Sequence, residues 1–214
     1  MIELKNITKT YLSNGNRINA IDNISLNIQV GEFVVIRGAS GSGKTTLLLT
    51  LGTMLKPTEG NYIFEDKDIY SMSGKERNYF RAENIGFVFQ MFHLFPYLTL
   101  LENVTVPTMG KQKDKAIQIL NELGLGDRSN HKPYALSAGE KQRTAVARAL
   151  INDPKIILAD EPTGNLDPDN ANEVISRFSK FHKDGGTVII VTHGKEADQF
   201  ADRIIYLKKG KIIK

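Results

Sequence analysis

The sequence predicts an α/β fold: a mainly parallel sheet at the core, antiparallel strands at the N-terminal end, and a helical subdomain inserted in the middle. Three observations predict it. Apolar runs of strand length at 33–37, 156–159 and 187–191 each lead towards a helical stretch, the pattern of parallel strands joined by crossover helices. Residues 2–8 and 23–28 instead alternate apolar and polar side chains, as half-buried antiparallel strands do. The middle of the chain is dominated by helical spacing.

In order, 2–8 and 23–28 read as strands, and 33–37 as a buried strand running into a glycine-rich stretch at Gly38. Residues 45–53 form a leucine-rich helix, and a Lys56-Pro-Thr-Glu-Gly60 turn leads to a strand at 61–64. Helices are expected at 75–83, 101–106, 114–123 and 138–152, with one strand between them at 85–89. Beyond Lys155 come strand 156–159, helix 170–183, strand 187–191, a short helix and strand 203–207. The chain reads as a single domain, 1–214, with the helical subdomain at approximately 91–152.

Composition sets limits. The 214 residues suit one globular domain, and the absence of cysteine excludes disulfides and thiolate metal sites. No apolar stretch approaches the length of a membrane span, and the first residues alternate like a strand rather than forming a signal peptide. The net charge of +4 is scattered. Its densest cluster, Lys208, Lys209 and Lys211, reads as a polar hairpin, so no nucleic-acid partner is expected.

Gly38-Ala39-Ser40-Gly41-Ser42-Gly43-Lys44-Thr45 fits G-x-x-x-x-G-K-[ST], between a strand and a helix. Glycines let successive N–H groups converge on phosphate oxygens, and the helix N-terminus, with Thr46 in its first turn, adds its dipole. Lys44 is placed to reach the β- and γ-phosphates, and the Thr45 hydroxyl to ligate Mg²⁺. The fold class is therefore a phosphate-loop NTPase core. The apolar run 156–159 ends in Asp160-Glu161. At the carboxyl edge of the sheet Asp160 can hold Mg²⁺, and Glu161 can accept a proton from the attacking water. Taken alone, such a pair is more often a solvated loop; beside a phosphate cradle it reads as catalytic.

Leu136-Ser137-Ala138-Gly139-Glu140-Lys141-Gln142-Arg143 resembles the signature of ATP-binding-cassette (ABC) ATPases, usually written LSGGQ. Read locally, it is also a good helix start, with Ser137 capping and Glu140 at the capping-box position. The resemblance spans essentially the whole chain. It implies that Ser137, Gly139 and Glu140 address a γ-phosphate. Gln90 matches the residue that senses Mg²⁺ and water, and His193 the switch histidine. Asn165-Leu166-Asp167 is similar to the D-loop, and Tyr11 stands where the family stacks an aromatic on adenine. Phe87-Val-Phe-Gln90, Phe92-His-Leu-Phe-Pro96 and Ala159-Asp-Glu-Pro-Thr-Gly-Asn-Leu-Asp167 look most like the lipoprotein-release and macrolide-export branch.

The resemblance implies an ATPase using ATP and Mg²⁺, a homodimer in the ATP-bound state, and an integral membrane permease subunit as partner, met at the cytoplasmic face of the cell membrane. Three positions depart from the usual pattern: Ala138 for the first signature glycine, Glu140 for the usual Gln, and Gly194 where Asp is common. A family member acting on DNA or ribosomes would carry tandem cassettes or a long coiled coil. A phosphate-loop kinase or GTPase would leave the signature and His193 unexplained. The aromatic segment 91–98 after Gln90 is either core of the helical subdomain or, in part, the lining of a groove for a helix of the membrane partner.

Overall fold

A strand covered on both faces reads as a continuous apolar run, whereas one covered on a single face alternates; this chain builds one sheet of each kind. The structure, a computed structural model, describes residues 1–13 and 15–213. In chain order it contains β1 (Ile2–Ser13), β2 (Asn16–Ile28), β3 (Phe33–Arg37), α1 (Lys44–Leu51), β4 (Glu59–Phe64), β5 (Lys67–Asp68), α2 (Gly74–Asn84) and β6 (Ile85–Phe89). There follow α3 (Leu100–Thr105), α4 (Lys113–Glu122), α5 (Ala138–Leu150), β7 (Ile156–Asp160), α6 (Pro168–Lys183), β8 (Thr187–Thr192), β9 (Arg203–Lys208) and β10 (Lys211–Ile213).

One sheet is antiparallel, in the order β2-β1-β4-β5; the other runs β10-β9-β3-β8-β7-β6. In the second, β9, β3, β8, β7 and β6 are parallel and β10 is antiparallel. Phe33 to Ile36 and the whole of β8 are buried. Successive residues point to opposite faces: Val34 and Ile36 pack with Leu47, Leu48 and Leu51 beneath the antiparallel sheet. Phe33 and Val35 pack with Val174, Ile175 and Phe178 of α6. A third cluster joins Leu100 and Val104 of α3, Leu120 of α4 and Ala147 of α5. Helix α5 serves two clusters, with Val146 towards the sheet and Ala147 towards the other helices, because neighbouring residues on a helix face different sides.

Strands β3 and β6 lie where the sequence placed them, and α1 starts one residue earlier. Strand β2 begins at Asn16 rather than 23, because the outer half of the β1–β2 hairpin is exposed and carries no burial alternation. Strands β5 and β10 are too short to leave a periodic signal. The lysine cluster does form a hairpin: Lys208 pairs with Lys211 across Lys209 and Gly210, both left-handed, with φ of 49° and 75°. Among the described residues no helix is long and apolar enough to cross a membrane.

Candidate nucleotide site

Strand β3 delivers the chain to the edge of the sheet, and residues 38–43 turn it back into α1. The turn tolerates no side chain at two places. A Cβ on Gly38 would lie 2.3 Å from the Leu207 carbonyl, and one on Gly43, at φ 104°, 2.2 Å from the Ala20 carbonyl. Helix α1 has no side-chain cap at Gly43 and no acidic residue in its first turn. Its first N–H groups are therefore open to an anion. The Ser42 hydroxyl is buried without a hydrogen-bond partner. Residues Ser40 to Thr46, with Ala20, Gln90, Asp160, Glu161 and His193, line a cavity of about 780 Å³.

Glu161 is paired with both Lys44 and His193 in this cavity. Lys44 Nζ donates to the Gly38 carbonyl at 2.8 Å and the Ala39 carbonyl at 3.3 Å, and lies 3.6 Å from Glu161 Oε1. Glu161 Oε2 lies 3.0 Å from His193 Nδ1 and accepts from the His193 backbone N–H at 3.2 Å. Burial raises the Glu161 carboxyl, but hydrogen bonds from His193 and Thr192 outweigh it and hold the group below its ordinary range. Its neighbour goes the other way. Asp160 is raised by burial, with Glu161 adding to the rise, and a hydrogen bond from Thr45 and the charge of Lys44 compensate only in part.

Asp160 therefore offers a dehydrated carboxylate whose charge is incompletely balanced. With the oxygens of Thr45 and Gln90 on the same cavity, this is a hard-oxygen set of the kind Mg²⁺ takes, completed by phosphate oxygens. Among the described residues no group of three or more His, Cys, Asp or Glu side chains is arranged to hold a metal ion by itself.

Of the residues singled out from sequence, Ser40, Gly41, Ser42, Gly43, Lys44, Thr45, Thr46, Gln90, Asp160, Glu161 and His193 share this cavity. Gly38 and Ala39 shape the loop and hold Lys44, but they do not line it. Tyr11 is exposed on β1, outside the lining, with the Lys9 ammonium 5.5 Å from its ring centre.

Ser137, Gly139 and Glu140 lie outside the cavity, at the start of α5. Ser137 accepts from the Glu140 N–H, and Glu140 accepts from the Ser137 N–H at 2.8 Å, so the capping box is real. Those bonds, with Arg128 and Arg143 nearby, hold the Glu140 carboxyl low, the one from the Ser137 backbone most strongly. The two signature positions also differ. Ala138 is exposed, whereas a Cβ on Gly139 would lie 2.0 Å from Asn170 Oδ1. The methyl at Ala138 is thus accommodated where one at Gly139 is not.

Several residues at the site left no sequence signal. Thr192 supports Glu161. Arg37 bonds Asp198 Oδ1 at 3.0 and 2.7 Å and donates to the Gly194 carbonyl, tying the loop after His193 to the strand that feeds the cradle. Asn165, which the sequence does single out by its likeness to the D-loop, donates to the Gln90 carbonyl at 3.2 Å. Segment 91–98 is partly packed and partly exposed. Phe92 is half-buried at φ 57°, its carbonyl held by Arg148 at 2.7 Å, whereas Tyr97 is 85% exposed. His93 and Phe95 line a separate groove of about 360 Å³ with Met54, Phe87, Pro107 and Arg148.

Comparison with known proteins identifies the family. A family model described as ABC transporter matches residues 21–164. The ABC transporter ATP-binding protein MJ1508 of Methanocaldococcus jannaschii is 47% identical, covering 100% of this chain and 98% of that protein. The lipoprotein-releasing system ATP-binding protein LolD of Aquifex aeolicus is 48% identical, covering 89% of this chain and 88% of that protein. The macrolide export ATP-binding/permease protein MacB of Chlorobaculum tepidum is 44% identical over all of this chain, which spans only 34% of its length. A dimeric structure of the M. jannaschii cassette MJ0796, in a post-hydrolysis state bound to ADP and Pi, superposes with a TM-score of 0.94 at 42% identity, covering 100% of this chain and 97% of that one. The chain described here belongs to the ABC transporter family, as one of its ATP-binding and ATP-hydrolysing cassettes.

Proposed function

We propose that this cassette drives a separate integral membrane permease subunit from the cytoplasmic face of the cell membrane, closing as a homodimer around two ATP molecules and opening when they are hydrolysed. One observation carries the reading. The chain gathers a cradle, a base and a switch histidine around one cavity, while its signature stands outside that cavity at a helix start. A γ-phosphate in the cradle therefore meets a signature only when a second copy supplies it.

In this scheme Lys44 leaves the Gly38 and Ala39 carbonyls and Glu161 to take phosphate oxygens. Glu161, ionised at neutral pH because its partners hold it low, accepts the proton of the attacking water. His193, on the same carboxylate, turns to the γ-phosphate, and Tyr11 meets the adenine. Thr45, Asp160 and Gln90 would hold Mg²⁺, which supplies charge neutralisation on the β- and γ-phosphates. Across the dimer, Ser137, Gly139 and Glu140 address the other copy's nucleotide. Each charge-assisted bond there contributes about 1.5–3 kcal/mol, so loss of the γ-phosphate removes much of what holds the halves together. The chain acts as one domain, 1–214, and its helical subdomain, approximately 91–152, carries the motion to the permease through the groove beside segment 91–98.

Mixing two damaged subunits tests the shared site. A Lys44→Ala copy has a broken cradle and a sound signature, and a Ser137→Arg copy the reverse. Their heterodimer has one doubly damaged site and one intact site. It should bind ATP at a single interface site although each homodimer is impaired. Equal impairment of all three species would exclude composite sites.

A further inference from the structure

The backbone just after Glu161 is held from the signature helix. Gln142, in the second turn of α5, is fully buried, and its Nε2 donates to the Pro162 carbonyl at 2.6 Å. Its Oε1 is buried as well and has no partner. Folding stability gives no account of an amide at this position. The hydrogen bond it makes is offset by an acceptor that is desolvated and unmatched. A methionine of similar volume would leave the Pro162 carbonyl bare but remove the orphaned Oε1, exchanging one unpaired acceptor for another.

The bond does secure local geometry. Glu161 has φ 45°, a left-handed conformation that a residue with a side chain keeps only when its surroundings impose it. Its N–H donates to the Val191 carbonyl at 2.9 Å, and its own carbonyl accepts from the Gly164 N–H at 3.1 Å. Gln142 supplies the third anchor, at the next carbonyl along. The far end of the same segment is also tied to α5. Arg143 donates to Asn170 Oδ1 at 2.8 Å, and Asn170 in turn donates through Nδ2 to Asp167 Oδ2 at 2.6 Å.

We propose that Gln142 is a positioning residue for hydrolysis: through the Pro162 carbonyl it fixes the strained backbone that aims Glu161, and so ties the base to the helix that carries the signature. This rests on the assignment of Glu161 as the base. A misaimed base loses rate in the chemical step and not in binding. Gln142→Met should therefore melt within about 2 °C of the parent and bind ATP with KM unchanged within about twofold, while kcat falls on the order of tenfold or more.

A second variant covers failure of the first to fold. In Gln142→Glu the carboxyl can donate to Pro162 only when protonated. Its kcat relative to the parent should fall as pH rises through the titration of that buried group. Parent-like kcat in a stable Gln142→Met, or a Gln142→Glu ratio that is flat with pH, overturns the proposal. Glu161→Gln measured alongside separates the two ideas. If it hydrolyses ATP normally, the base assignment itself fails; if it is inactive while Gln142→Met is fully active, only the positioning role fails.

Discussion

Replacing Glu161 by glutamine removes a charge without changing the side chain's size, and the structure fixes what each lost contact should do. Proton acceptance disappears. General bases contribute about 10²–10⁴ in rate, so hydrolysis should fall by that factor, a barrier increase of roughly 3–5 kcal/mol. Binding should be equal or tighter, because Lys44 no longer faces a carboxylate at 3.6 Å and turns to phosphate unopposed. The nucleotide-free protein should lose stability, since the amide can still accept from the His193 N–H but without charge assistance. We expect about 1–2 kcal/mol, or roughly 3–6 °C in melting temperature.

That loss must depend on pH in a defined direction. The folded carboxyl titrates below its unfolded value. Its contribution is therefore complete above the usual carboxylate range, about pH 4.3, and is lost as pH falls through the folded value. Parent and variant should converge in acid and separate towards neutrality. Phosphate release, nucleotide titration and melting curves across pH read the three effects. Near-parent hydrolysis would refute the base assignment. A stability gap unchanged down to about pH 3 would refute the electrostatic account of the Lys44–Glu161–His193 cluster.

Further substitutions follow from the geometry. Tyr97→Ala should leave melting temperature and basal ATPase unchanged while weakening recovery with solubilised membranes by about thirtyfold, as loss of an aromatic anchor does. Phe92→Ala, at a half-buried position, should cost stability as well, and an equally large melting loss in Tyr97→Ala would sink the docking assignment. Gly139→Ala gains about 1 kcal/mol of helix propensity but forces a Cβ to 2.0 Å from Asn170 Oδ1, an overpacking cost of about 1–3 kcal/mol. In an Asn170→Ala background the same change should become stabilising. Denaturant unfolding of the four proteins in the cycle measures the coupling, and simple additivity would show that Asn170 is not what excludes a side chain there.

Features encoded by neighbouring residues were legible without the fold. The cradle is a run of consecutive N–H groups, so its glycines and Lys44-Thr45 announce it by spacing alone. Asp160 and Glu161 end an apolar strand, and β3 and β6 are apolar runs of strand length. The capping box at Ser137 and Glu140 is likewise a local exchange of hydrogen bonds, readable from two residues three apart.

What joins segments distant in the chain was decided by packing alone. Arg37 and Asp198 are 161 residues apart, and nothing near either one announces the other. The same is true of Gln142 beneath Pro162, and of Asn170 against Gly139. Sequence marked Ala138 as a departure from the signature pattern but could not rank it against Gly139; the fold does, because one position faces solvent and the other faces a side chain from another helix. Likewise, the sequence named Ser137, Gly139 and Glu140 together with the cradle, and the tertiary arrangement places them outside the cavity that the cradle lines. Periodicity and turn chemistry report the demands of a residue on its own stretch of backbone, whereas distances between stretches are fixed by how side chains fill the space between elements.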